Sequence, residues 1–140
     1  MNICVIIARS DEGKDRLGDI AKGFVDGFSS KGHNVTVLSM ISDSDKRITL
    51  YDYVIVLSEP VSLFSAKIPD RLKTFLANAG AVSGKRASVF ISGGIRKGKA
   101  LQNLMNTVES EGIILKSGDI VKNRDEAKAI ASHLNIERNL

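Results

Sequence analysis

Three short segments hold most of the residues whose types could do chemistry. Arg9-Ser10-Asp11-Glu12-Gly13-Lys14-Asp15-Arg16 mixes a hydroxyl, a glycine, cations and carboxylates. The second, Ser58 to Ile68, contains Pro60, Val61, Ser62 and Phe64. The third is Ser92-Gly93-Gly94-Ile95-Arg96-Lys97-Gly98-Lys99. Its adjacent glycines let backbone N–H groups come close to a ligand. Its cations at 96, 97 and 99 favour an anionic partner. The same residues also suit a solvated turn.

Several chemistries lack their residues. No histidine stands where it could act as base to Ser10, Ser58 or Ser92, so serine hydrolysis has no support. No Gly-x-x-x-x-Gly-Lys-[Ser/Thr] phosphate loop occurs. No aspartate ends the strand before residue 9 or the one before residue 59, which argues against a phosphoacceptor domain. One cysteine, Cys4, excludes a disulfide scaffold or a cysteine-based metal site. It lies in an apolar run and reads as a buried structural thiol. His33 and His133 are expected at the surface, and a transition-metal site is not expected.

The elements that must position these segments alternate along the chain. The 140 residues suit one domain, at 43% hydrophobic and 26% charged. Apolar runs predict strands over 3–8, 34–39, 53–57 and 87–91. A fifth is expected over 113–115, interrupted at Ser117-Gly118 and resuming at 120–121. Between them lie helical patterns. Leu17, Ile20, Ala21, Phe24, Val25 and Phe28 share one face of a helix over 16–30. Residues 42–47 carry at most a short helix. Pro69 and Asp70 open a further helix, with Leu72, Phe75, Leu76 and Ala79 inward. Another spans 99–111. Asn123 caps the last, with Asp125 and Glu126 in its first turn.

This alternation demands a parallel sheet, and five strands suggest the order 2-1-3-4-5. Ligands in such α/β doubly wound folds bind outside the carboxyl ends of the strands, where strand order reverses. The loops 9–16, 58–68 and 92–99 therefore form the expected site. The net charge of +4 mildly favours anionic partners, but no basic stripe interleaved with aromatics supports nucleic-acid binding. The longest apolar runs are about six residues, far short of a membrane span. With no basic leader or cleavage pattern, the expected location is the cytoplasm.

The third strand and the helix after it carry a more specific signal. Tyr51-Asp52-Tyr53-Val54-Ile55-Val56-Leu57-Ser58-Glu59-Pro60 resembles the "Tyr-Asp-apolar run-Gly-x-Pro" segment of the flavodoxin-like family. Ile68-Pro69-Asp70-Arg71-Leu72-Lys73-Thr74-Phe75-Leu76 is similar to that family's "Pro-x-x-Leu-Lys-x-Phe-Leu" helix. Ile20-Ala21-Lys22-Gly23 and Asp125-Glu126-Ala127 extend the resemblance over the whole chain, at short-chain flavodoxin length.

The resemblance implies a flavodoxin-like three-layer sandwich with non-covalent FMN, serving electron transfer or flavin-dependent reduction. Ser10, Gly13, Lys14 and Asp15 would stand at the FMN phosphate. Pro60, Val61, Ser62 and Phe64 would flank the flavin ring, and Ser92, Gly93 and Gly94 would read its polar edge. The first loop lacks the family's later threonine. Its carboxylates at 11, 12 and 15 would cost on the order of 1 kcal/mol each beside a dianion in water. Arg9, Lys14 and Arg16 could offset that, and Asp11 or Asp15 could instead cap the helix. The family's ring aromatic is replaced by Ser62, with Phe64 nearest, free either to stack on a ring or to pack under its own loop. The expected partners are a redox protein or small-molecule acceptor, with an anionic partner at Arg96, Lys97 and Lys99. Two alternatives remain open: an interaction module on this fold without FMN, and an enzyme acting on another nucleotide.

Overall fold

The central strands are apolar on both faces because helices cover both. β1 (Asn2–Ala8) is buried from Ile3 onward, and β3 (Tyr53–Ser58) is buried throughout. β2 (Asn34–Ser39), β4 (Arg86–Ile91) and β5 (Ile114–Ile120) complete a five-stranded sheet of order β2-β1-β3-β4-β5. Every pairing is parallel. β2 and β5, at the two edges, are largely exposed. The computed structural model describes residues 1–10, 16–134 and 136. Among them no helix is long and apolar enough to cross a membrane.

Four α-helices lie among the described residues: α1 (Arg16–Ser29), α2 (Arg71–Ala77), α3 (Lys97–Glu109) and α4 (Arg124–His133). The sheet separates two apolar layers. α1 and α4 pack on one face, over Ile3, Val5, Ile7, Tyr53, Ile55 and Leu57. α2 and α3 pack on the other, over Cys4, Ile6, Val54, Val56, Val89 and Ile91. Alternate residues of each strand therefore serve opposite layers, as the period-two geometry requires. Phe24, on the buried stripe of α1, meets Phe90 with ring centroids 4.8 Å apart. Full burial of such a ring stabilises the fold by roughly 1.5–3 kcal/mol.

The α1–α4 contact rests on small residues. Gly23 and Gly27, one turn apart on α1, face Ala127 and Ala131 on α4. A Cβ on Gly23 would stand 2.9 Å from the Ala127 Cβ, and one on Gly27 would stand 2.7 Å from the Lys128 carbonyl oxygen. Arg124 closes the seam, donating to Asp26 at 2.9 Å and lying 3.8 Å from Asp19. The hydrogen bond from Arg124 is the main reason the Asp26 carboxyl titrates below its ordinary value.

The structure departs from the sequence reading at several points. Residues 42–45 form turns, with Asp43 accepting the Ser39 N–H at 2.9 Å, which agrees with the expectation of at most a short helix there. β5 is continuous where an interruption at Ser117-Gly118 is expected. The irregularity falls one residue earlier: Ala87 pairs with Leu115 and Ser88 with Ser117, leaving Lys116 as the extra residue. Gly118 lies close against Val89 and under Met105 of α3, so ladder pairing and cover outweigh its weak strand preference. α3 begins at Lys97, two residues before the expected start, which shortens the third loop. His33 is buried rather than exposed, at 7%, with its ring edge-on to Phe28 at 6.4 Å. His133 is exposed. Cys4 is fully buried as expected; burial, with the Asp43 carboxylate adding to it, pushes its thiol up to about 12.

Candidate ligand-binding site

The carboxyl ends of β1, β3 and β4 lie side by side, which brings the loops that follow them to one edge. Hydrogen bonds stitch them together. Ser58 Oγ donates to the Ala8 carbonyl at 2.7 Å, and the Ser92 N–H donates to the Ser58 carbonyl at 3.0 Å. Ser58 and Ser92 are thus buried joints between neighbouring strand ends, and both are fully enclosed. This is the structural reason for hydroxyl residues at the ends of otherwise apolar runs.

The second loop is braced from several sides. Val61 N–H bonds the Lys67 carbonyl at 2.9 Å, and Ser65 N–H bonds the Ser62 carbonyl at 3.2 Å. Asn103 of α3 donates to the Ala66 carbonyl at 2.9 Å. Pro60 is buried against Gly94. Val61 and Ser62 are exposed. Phe64 is 72% exposed, which settles one alternative: it does not pack under its own loop. Leu63 and Ile95 are also exposed, and the Ile95 N–H bonds the Leu63 carbonyl at 3.0 Å. Val61, Leu63, Phe64 and Ile95 therefore form an apolar rim where the second and third loops meet.

The third loop turns through two left-handed glycines, Gly93 at φ +87° and Gly94 at φ +77°. A side chain at either position would be strained and obstructed. At Gly94 a Cβ would stand 2.9 Å from Pro60 Cγ, and at Gly93 it would meet the Arg16 guanidinium. No acceptor for the N–H of Gly93 or Gly94 lies among the described residues. Two adjacent, partly exposed donors thus have no acceptor among the described residues.

Arg16, the first residue of α1, reaches across the site. Its guanidinium donates to Ser92 Oγ at 2.7 Å, to the Ser92 carbonyl at 3.0 Å and to Glu59 Oε2 at 3.1 Å. One side chain therefore ties α1 to both the β3 and β4 loops. Sequence reasoning named Arg16 only as a charge offset and gave Glu59 no role. The available signal was positional: a cation heading a helix and an acid directly after a strand that ends at the same edge.

Of the sequence-derived candidates, Pro60, Val61, Ser62, Phe64, Ser92, Gly93 and Gly94 come together here. Ser10 is exposed just beyond β1. Gly13, Lys14 and Asp15, together with the capping alternatives Asp11 and Asp15, lie outside the described residues. The Ser92 side chain is already engaged by Arg16, so in this arrangement its hydroxyl serves the protein.

Arg96, Lys97 and Lys99 follow Ile95 directly, at the N-cap and first turn of α3. Among the described residues none of them pairs with a carboxylate, and the first turn holds no acid. Cations at a helix N-terminus oppose the macrodipole, typically by about 0.3–1 kcal/mol each. A separate groove of about 250 Å³ opens where α2 meets the turns after β2, lined by Met40, Ser44, Arg71, Thr74, Phe75 and Asn78. No residue of the three loops lines it.

No protein-family model matches the chain, and no curated protein matches it in sequence. Solved structures do match in fold. A flavodoxin from the domain Archaea superposes with a TM-score of 0.72 at 16% identity, covering 100% of both chains. Flavodoxin 2 from Bacillus cereus gives 0.73 at 16% identity, over 94% of this chain and 95% of that one. A short-chain flavodoxin associated with a non-canonical PDU bacterial microcompartment gives 0.71 at 13% identity, over 100% and 99%. The chain thus has the flavodoxin-like α/β fold.

Proposed function

We propose that this chain binds FMN at the joined ends of β1, β3 and β4 and acts in electron transfer or flavin-dependent reduction. The observation that carries the reading is the pair of N–H groups at Gly93 and Gly94, which have no acceptor among the described residues. They lie beside an apolar rim, at the strand-order reversal of a flavodoxin-like fold. In this reading Gly93 and Gly94 donate to the pyrimidine edge of the flavin. Leu63 and Phe64 give the ring an apolar wall, and Pro60 sets the turn that presents them. When bound, the flavin supplies the redox chemistry; the protein supplies orientation and local electrostatics.

The exposed rim and the cations at 96, 97 and 99 suit a redox partner with an acidic face, and a small-molecule acceptor is the alternative. This inverts the usual expectation that like charges are spread over a surface, because these cations are placed where their own helix disfavours them.

An absorption spectrum of the purified protein, followed by FMN titration, tests the reading. We expect bands near the visible flavin maxima that survive gel filtration, or saturable quenching of FMN fluorescence on reconstitution. A colourless protein that leaves FMN fluorescence unchanged sinks it. A second reading, an interaction module without flavin, is favoured by the bond between Ile95 and Leu63, which joins the tips of the loops that would flank the ring. Absence of FMN binding with retained capture of an acidic partner, lost in Arg96→Ala with Lys97→Ala, supports that reading.

A further inference from the structure

We propose that Arg16 is the phosphate-binding cation of this site and that Glu59 holds it in reserve, so that Glu59 and a ligand's phosphate compete for one guanidinium. The inference rests on the FMN reading for the ligand's identity, but the competition concerns any phosphate monoester.

Arg16 donates twice to Ser92 and once to Glu59. Its contact with Glu59 is a single bond of 3.1 Å to one carboxylate oxygen, not the paired fork arginine prefers. Arg16 is 44% exposed and Glu59 32%, so both are within reach of an incoming ligand. Three of the five guanidinium donors are used in these contacts. The two Ser92 partners are neutral oxygens, and the carboxylate is a monoanion. A phosphate dianion carries more charge than the Glu59 carboxylate and can likewise accept the guanidinium's paired donors, so it displaces the Glu59 contact. The placement also explains Gly93. Any side chain there would occupy the space of the Arg16 guanidinium, so the glycine keeps open the position from which the arginine is released. Arg16 supplies by charge what the sequence of the first loop does not supply by hydroxyls.

FMN and riboflavin differ only by the phosphate, so their comparison isolates the effect. Fluorescence titrations of both flavins against the wild type, Glu59→Gln, Arg16→Ala and the double variant form the test. We expect Glu59→Gln to bind FMN about threefold more tightly, the scale of a half-exposed ion pair released, with riboflavin unchanged. We expect Arg16→Ala to weaken FMN by about tenfold, again sparing riboflavin. In the Arg16→Ala background the Glu59→Gln gain should shrink.

Unchanged or weaker FMN binding in Glu59→Gln overturns the proposal, as does an equal shift for both flavins. If Arg16→Ala does not fold, the Glu59→Gln comparison decides alone. If neither flavin binds any variant, the FMN reading fails by itself, and inorganic phosphate becomes the probe. Phosphate should then raise the melting temperature of Glu59→Gln more than that of the wild type. An equal rise, or none, ends the proposal.

Discussion

Gly27 of α1 lies directly against Ala131 of α4, with no room between them for another methyl group. In an exposed helix, glycine to alanine gains up to about 1 kcal/mol from propensity. Here the sign reverses, because the added Cβ meets the Ala131 Cβ and the backbone of Lys128. We expect Gly27→Ala to lower stability by about 1–3 kcal/mol, the usual cost of overpacking, read as a shifted urea midpoint. An unchanged or raised midpoint would show that α4 can move away freely.

Cys4 should be inert in the folded protein. Its thiol is pushed up to about 12 from 9.0 by burial, helped by Asp43. The unfolded chain therefore loses this proton first as pH rises, and stability falls from about pH 9 towards 12. We expect no reaction with a thiol reagent at pH 8 until denaturant is added. In Cys4→Ala the alkaline fall in stability should be shallower. Rapid labelling of the native protein would contradict the burial described above.

Asp26 behaves in the opposite sense. Its carboxyl is held below the ordinary value by the hydrogen bond from Arg124, and then by the charges of Arg124 and Lys128. A depressed folded value means stabilisation that is present above the unfolded value of 3.8 and lost as pH falls through the folded one. NMR titration should give a lower Asp26 midpoint in the wild type than in Arg124→Ala. Equal midpoints would remove the seam's ion pair from consideration.

The cations at the start of α3 make a test of a different kind. Replacing Lys97 and Lys99 by glutamate places acids where the helix dipole favours them. We expect the double variant to gain about 1 kcal/mol in urea unfolding. Loss of affinity for an acidic partner alongside that gain would show that the basic turn is kept at the expense of stability. A neutral or negative change in stability would mean that these lysines are already compensated.

The layers of this fold were legible because they follow from periodicity. The stripe from Leu17 to Phe28 and the apolar runs at 3–8 and 53–57 leave few alternatives for chain direction or cover. What escaped depends on contacts between distant residues. Asp52, read as part of a motif, accepts the Asn2 N–H at 2.8 Å and so ties β3 to β1. Tyr53 places its hydroxyl 2.8 Å from the buried Ser88, which lies 2.6 Å from the exposed Ser117, a polar chain that crosses three strands and ends at the surface. His33 looked like a surface residue because nothing near it in sequence told of Met1, whose amino group lies 3.2 Å from its Nδ1. At the site, the glycines and proline were visible as turn formers. The span of Arg16 was not, since a long side chain can reach three loops and sequence spacing does not choose among them.

The clasp between α1 and α4 has a consequence for how the molecule comes into being. Asp26 and Arg124, which close it, are 98 positions apart. During synthesis α1 emerges first, with Phe24 and the glycine face still uncovered, and must wait for the 98 positions that separate Asp26 from Arg124 before its partner helix arrives. Until α4 docks, that face of α1 has no partner helix. A frameshift or stop codon upstream of residue 124 would leave quality-control proteases an open hydrophobic face rather than a smaller working domain.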